Sequence, residues 1–201
     1  MENAMMLLLG FLLGIFASGI AWLIVRLIVP RIHFVPEISK VPSADNKNGW
    51  RYRFQIYNIG KRDIIDLQLE CLFYAKISSS NWLSTTIPFD KASSPKMRAG
   101  GLNAIYQVFP AKIDIKSHWN FDENIMKKAK DGTILLEDLL SYNETAYLRI
   151  YIFGYDAFSG ARKLFTSKEY KLNDIKEGFF SGGKYKTAHV EVKENIQEAT
   201  P

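Results

Sequence analysis

Residues 5 to 25, MMLLLGFLLGIFASGIAWLIV, contain no charged position and no polar stripe, whereas most of the chain beyond them alternates between apolar and polar. A core helix would carry a polar face. A signal peptide would carry a positively charged lead and a small-x-small cleavage site, and only Glu2 is charged ahead of this run. As a helix the run rises about 31 Å, which matches the ~30 Å hydrocarbon core of a bilayer. Trp22 stands where an interfacial aromatic sits. The pattern predicts a short tail at 1–4 and an uncleaved single-pass transmembrane helix at 5–29.

Pro30 and Pro36 end the helix and extend the chain without a long linker. Period-two segments follow, RYRFQIYN (51–58) and DIIDLQLECLF (63–73), with a turn at Asn58-Ile59-Gly60 between them. In the second segment Ile65, Leu67, Leu69 and Cys71 share one face, while Asp66, Gln68 and Glu70 share the other. With Leu148, Ile150 and Ile152 they form the expected core. Further strands are expected at 32–39, 82–88, 103–109, 146–153, 162–171 and 185–192. One helix interrupts them: NFDENIMKKAKDG opens at Asn120, has Glu123 three residues on in the manner of a capping box, and closes at Gly132. LLEDLLSY (135–142) adds a helical turn. Many short strands with one or two helical insertions define an all-β class, a β-sandwich occupying 30–192, followed by a polar tail at 193–201.

Charge sets the expected orientation. Arg26, Arg31 and Lys40 follow the apolar run and no Lys or Arg precedes it. The positive-inside rule then leaves the N-terminus outside and the large domain in the cytoplasm. The chain's one cysteine, Cys71, rules out a disulfide framework and fits a reducing compartment. On the apolar face of a strand it reads as a core thiol, not a nucleophile. The sequon Asn143-Glu144-Thr145 carries no weight against this orientation.

Chemistry is sparse. His33, His118 and His189 lack metal-ligand spacing, and there is no G-x-S-x-G. GFFSGGKY (178–185) has the outline of a phosphate loop, but Tyr185 stands where Ser or Thr must hold magnesium, and a strand-like stretch follows. It reads as a glycine-rich turn. No catalytic residue, cofactor or metal is expected. Two features remain. Gly10, Gly14 and Ser18 recur every fourth position, a spacing that lets membrane helices approach and associate. The chain also carries a net charge of +5, with Arg26 and Arg31 at the membrane surface and Arg162, Lys163, Lys168, Lys171, Lys184 and Lys186 along the late strands. Headgroup contact with anionic lipid is expected for the two arginines. The late cations read as a solvated face, interleaved with Glu169, Asp174 and Glu177, which disfavours nucleic acid as a partner.

LRIYIFGYDAFSGARKLFTSKEYKLNDIKEGFF (148–180) resembles the late part of the cytoplasmic domain of inward-rectifier potassium channels. The matching positions are Gly154, Asp156, Tyr170, Asp174, Ile175 and Phe179 or Phe180. RIHFVPEISK (31–40) and GWRYRFQIYNIGKRDIIDLQLECLF (49–73) look like that family's opening strands, and YQVFPAKIDI (106–115) like its middle strand. The resemblance implies an immunoglobulin-like sandwich, assembly as a homo-oligomer with a tetramer as the family's form, and lipid contact just after the helix. The second membrane helix and the filter are missing, so conduction is not implied. The expected function is a membrane-anchored, non-enzymatic interaction or sensory module with a protein partner. The alternative is a ligand- or signal-triggered effector whose clustered anchors perturb the membrane.

Overall fold

The computed structural model describes residues 2–101, 103–113, 121–181 and 188–191, and of residues 2–4, 24–27 and 103 the backbone alone. Helix α1 spans Glu2–Leu27. It begins within the expected tail and stops two residues short of the expected end. Pro30 cannot donate to the helix, and it disfavours the helical conformation at Val29.

The first sheet is built on β3 (Trp50–Asn58). Along one side lie β1 (Ile32–Phe34) and β2 (Ile38–Pro42), both antiparallel, and along the other lies β7 (Asn103–Val108). A short β10 (Ile175–Glu177) runs parallel to β2. The single strand expected at 32–39 is thus broken, because Pro36 has no N–H to give the ladder. Val35 still donates its N–H to the carbonyl of Gln55 at 3.0 Å.

The second sheet is built on the long β4 (Ile64–Lys76). Its later half pairs with β5 (Trp82–Ile87) and its start with β6 (Ser93–Met97). On the far side β8 (Tyr147–Asp156) runs its whole length, with β9 (Arg162–Thr166) beyond. The strand expected at 162–171 ends at Thr166, and Tyr170 returns as a lone bridge to Leu148. A small hairpin joins β11 (Phe179–Phe180) to β12 (Val190–Glu191); the rest of the strand expected at 185–192 and the tail at 193–201 lie outside the described residues. The chain is therefore a β-rich domain with few short helices, attached to one long apolar helix.

Both sheets contribute to one apolar core: Ile38, Phe54 and Ile56 from the first, Leu69, Cys71, Phe73, Leu148, Ile150 and Ile152 from the second. Tyr170 is buried between them, edge-on to Phe54, and its hydroxyl donates to the carbonyl of Val35 at 2.7 Å. The expected inward position of Ile65 is wrong. Asp66 takes a left-handed backbone (φ 50°), and Asp66 and Leu67 together face Gly154, a β-bulge that reverses the alternation. Ile64 is therefore buried and Ile65 half-buried, while Leu67 onward follows the expected face.

Helix α2 (Glu123–Asp131) starts two residues later than expected. Its cap is Asp122, whose carboxylate accepts from the Ile125 N–H at 2.8 Å; Asn120 lies outside the described residues. Gly132 closes it in the left-handed conformation (φ 71°). The anticipated extra turn is α3 (Leu136–Leu140), which buries Leu136, Leu139 and Leu140.

Candidate functional site

Every described side chain of α1, from Met5 to Leu23, is exposed. The window Met5–Leu23 has mean hydropathy 2.2 and makes no buried contact with the domain. The apolar surface it leaves uncovered far exceeds the few hundred Å² that a soluble monomer exposes as a patch. This one N-terminal helix is long and apolar enough to span a membrane. Gly10, Gly14 and Ser18 lie on one face of it. A Cβ built on Gly10 or Gly14 meets nothing within 4 Å, so that face is open to another helix. Arg26 lies in the last turn, where the backbone alone is described, and Arg31 is exposed just beyond.

The exit of α1 is held tightly. Four residues, Ile28 to Arg31, separate it from β1. They run against Gly60: a Cβ there would lie against Arg31 N, 2.6 Å from Val29 O and 2.7 Å from Pro30 Cα. Arg31 also accepts from the Ile59 N–H at 2.8 Å. The β3–β4 turn owes this shape to Asn58, which is fully buried. Its side-chain oxygen accepts from the Gly60 N–H at 3.1 Å, and its amide donates to the carbonyls of Arg62 (2.8 Å) and Met97 (3.3 Å). Asn58 therefore stitches the β3–β4 turn to the end of β6.

Two further connections converge there. In the β6–β7 connection the Ala99 N–H donates to Asp63 Oδ1 at 2.7 Å, and Lys96 pairs with the same carboxylate at 2.7 Å. The β8–β9 turn starts at Asp156, which accepts from the Phe158 N–H at 3.0 Å and pairs with Arg62 Nη1 at 3.2 Å. The Arg62 guanidinium lies over the Phe158 ring, 4.2 Å from its centroid. Asp156 is almost wholly buried. Burial alone would raise its pKa, but the Phe158 N–H, the Ser159 hydroxyl and Arg62 hold it below the usual carboxylate range. Gly154 lies under the bulge, where a Cβ would come within 2.5 Å of Ile64 Cγ2. Gly154 and Asp156 thus each have a local structural role, the one under the bulge and the other in the β8–β9 turn.

Elsewhere the described residues offer little catalytic chemistry. Cys71 is buried, which pushes its thiol pKa far up and leaves it inert. His33 packs near Tyr57, His189 lies beside Ser181, and His118 is outside the described residues. No cluster of His, Cys, Asp or Glu with the makings of a metal site occurs among the described residues. Of the phosphate-loop outline only Gly178–Ser181 is described; Phe179 and Phe180 are paired as strand. Among the late cations Lys168 pairs with Asp174 at 2.6 Å, while Lys184 and Lys186 lie outside the described residues. Lys40 links Glu137 (2.7 Å) and Glu177 (3.2 Å) beneath the Trp50 ring, and Tyr52 donates to the same Glu137, which fastens α3 to the first sheet. A cleft of about 560 Å³ opens between Ile113 and α2, lined by Phe121, Met126 and Ala129 with Glu123, Lys127 and Lys130. Sequence reasoning missed both this cleft, which forms within residues 113 to 130 without a motif to mark it, and the convergence at Gly60, which depends on contacts between distant segments.

No protein-family model matches this chain, and no curated protein matches it significantly. What the fold and the site define is a β-rich domain fastened directly to one apolar helix of membrane-spanning length.

Proposed function

We propose that the chain is a single-pass membrane protein whose domain is a non-enzymatic interaction or sensory module, oligomeric and without a pore of its own. The observation that carries this reading is the tight seating of the α1 exit on Gly60, which leaves the domain no slack from its anchor. The charge flanking α1 favours a cytoplasmic domain. The order of strands, with Gly154, Asp156 and Tyr170 at structural corners, supports an immunoglobulin-like sandwich of the inward-rectifier type. Fold does not transmit activity, so function is argued from the anchor and its junction.

The test is alkaline extraction of membranes bearing the full-length protein, followed by its subunit count in mild detergent by native mass spectrometry. A protein that stays in the membrane pellet and elutes as an oligomer is expected. Release into the alkaline supernatant would overturn the anchor.

A second reading, the signal-triggered effector, draws support from the cleft beside α2 together with the open Gly10/Gly14 face. It predicts toxicity on forced clustering that Gly14→Ile abolishes. Undiminished toxicity of that variant would remove it.

A further inference from the structure

The fold gathers at the α1 exit side chains that the sequence scatters. Lys61 follows the clamp glycine, Arg98 lies in the β6–β7 connection, and Arg162 opens β9 just after the β8–β9 turn; all are exposed, as is Arg31. None of the four is ion-paired within 4 Å among the described residues. Nearby Asp63 and Asp156 are already taken by Lys96 and Arg62, which leaves exposed Asp66 as the opposing charge. Among these cations stands Phe158, 73% exposed at the tip of its turn. The turn is no frayed loop: Asp156 accepts from the Phe158 N–H, the Asp156 carbonyl accepts from Gly160 (φ 66°), and the Ala157 N–H reaches Asp63 O at 3.1 Å. The Arg62 guanidinium covers one side of the ring and leaves the rest to solvent.

We propose that this end of the domain docks on the anionic surface of the bilayer that α1 crosses, with Phe158 entering the headgroup–acyl boundary and Lys61, Arg98, Arg162 and Arg31 resting on headgroups. This rests on the reading of α1 as a membrane anchor. Reach supports it. Gly60 touches Val29 to Arg31, and three extended residues cover at most about 11 Å from the helix end. The headgroup layer is itself roughly 5–8 Å deep and the Debye length is about 8 Å, so cations at this end act within range of the lipid charge. An exposed aromatic ringed by cations is the combination that interfacial anchors use. Arg162, grouped by sequence with a solvated late-strand face, belongs to this surface instead.

The test uses the full-length protein in nanodiscs. Cys71 is buried, so Phe158→Cys supplies one reactive thiol for an NBD fluorophore; Ser79→Cys, in the exposed turn at the other end of β4, is the control. Doxyl-labelled lipid then reports depth. Quenching several-fold stronger at position 158 than at 79 is expected in phosphatidylcholine discs containing phosphatidylserine. It is expected to fall when salt is raised or when Lys61, Arg98 and Arg162 are all changed to Gln. Quenching at 158 no stronger than at 79 would overturn the docking, and equal quenching with and without phosphatidylserine would overturn the part given to the cations. Failure of the protein to co-purify with discs would overturn the anchor itself, a separate result.

Discussion

Leu67, 1% exposed, is one of the two bulge residues in β4 and is one of the most closed positions in the core. Leu67→Ala is expected to cost about 2–5 kcal/mol, read from denaturant unfolding of the full-length protein in detergent; a loss under about 1 kcal/mol would mean the assigned register is wrong. Gly154→Ala should also destabilise, by about 1–3 kcal/mol, since its methyl would press on Ile64 Cγ2 and the Ile65 carbonyl. Asp156 makes a pH prediction. Its folded pKa is depressed, so its contribution is present above the ordinary carboxylate value of about 3.9 and drains away as pH falls below it. Asp156→Asn should lower stability at neutral pH and flatten that acid limb. Unfolding midpoints followed down through acid decide it, and an unchanged limb would count against the depressed pKa of Asp156. At this scale alternation revealed the part of the core on β4 and β8, Leu67, Leu69, Cys71, Leu148, Ile150 and Ile152. It failed at Ile65 because a one-residue bulge, invisible to periodicity, turns everything before it to the opposite face.

Among elements, the junction of α1 with the β3–β4 turn bears most directly on function. Gly60→Ala places a methyl against backbone atoms of Val29 to Arg31 that have no flexible side chain to move aside. The expected result is a loosened exit, with trypsin cutting after Arg31 several-fold faster than in the unaltered protein in nanodiscs. Equal cutting rates would show that the turn does not hold the exit. The turn itself was legible, since Asn-x-Gly between two alternating runs announces it. That it receives the exit of α1 was not, because nothing local to residues 58–60 refers to residues 29–31. The α2 cap shows the same limit at shorter range: Asn120 and Asp122 both suit an N-cap, and in the structure it is Asp122 that takes the Ile125 N–H. Likewise β6, which contains Pro95 and little apolar alternation, exists because β4 offers it an edge.

For the whole molecule, the open small-residue face of α1 is the expected seam between copies. Gly14→Ile should shift the full-length protein in mild detergent towards monomers, with light scattering as the measure; an unchanged mass would assign assembly to the domain or to nothing in α1. The alternation of the later chain and the uncharged run before it already announced an apolar helix ahead of a β-rich domain. The cationic end with Phe158 escaped notice because its members lie up to about 130 residues apart and meet only where the α1 exit and three separate connections converge. Only four residues pass from α1 to β1. So short a spacer behaves as a stiff stalk: tilt or spin of the helix is handed to the domain undamped. Strand β4 adds length, its thirteen residues extending about 40 Å from the clamped end to Lys76, where the Asn143 and Thr145 side chains grip both peptide groups of that residue. Under the proposed anchoring, a partner bound at that far rim is selected by its distance from the helix exit as much as by its chemistry.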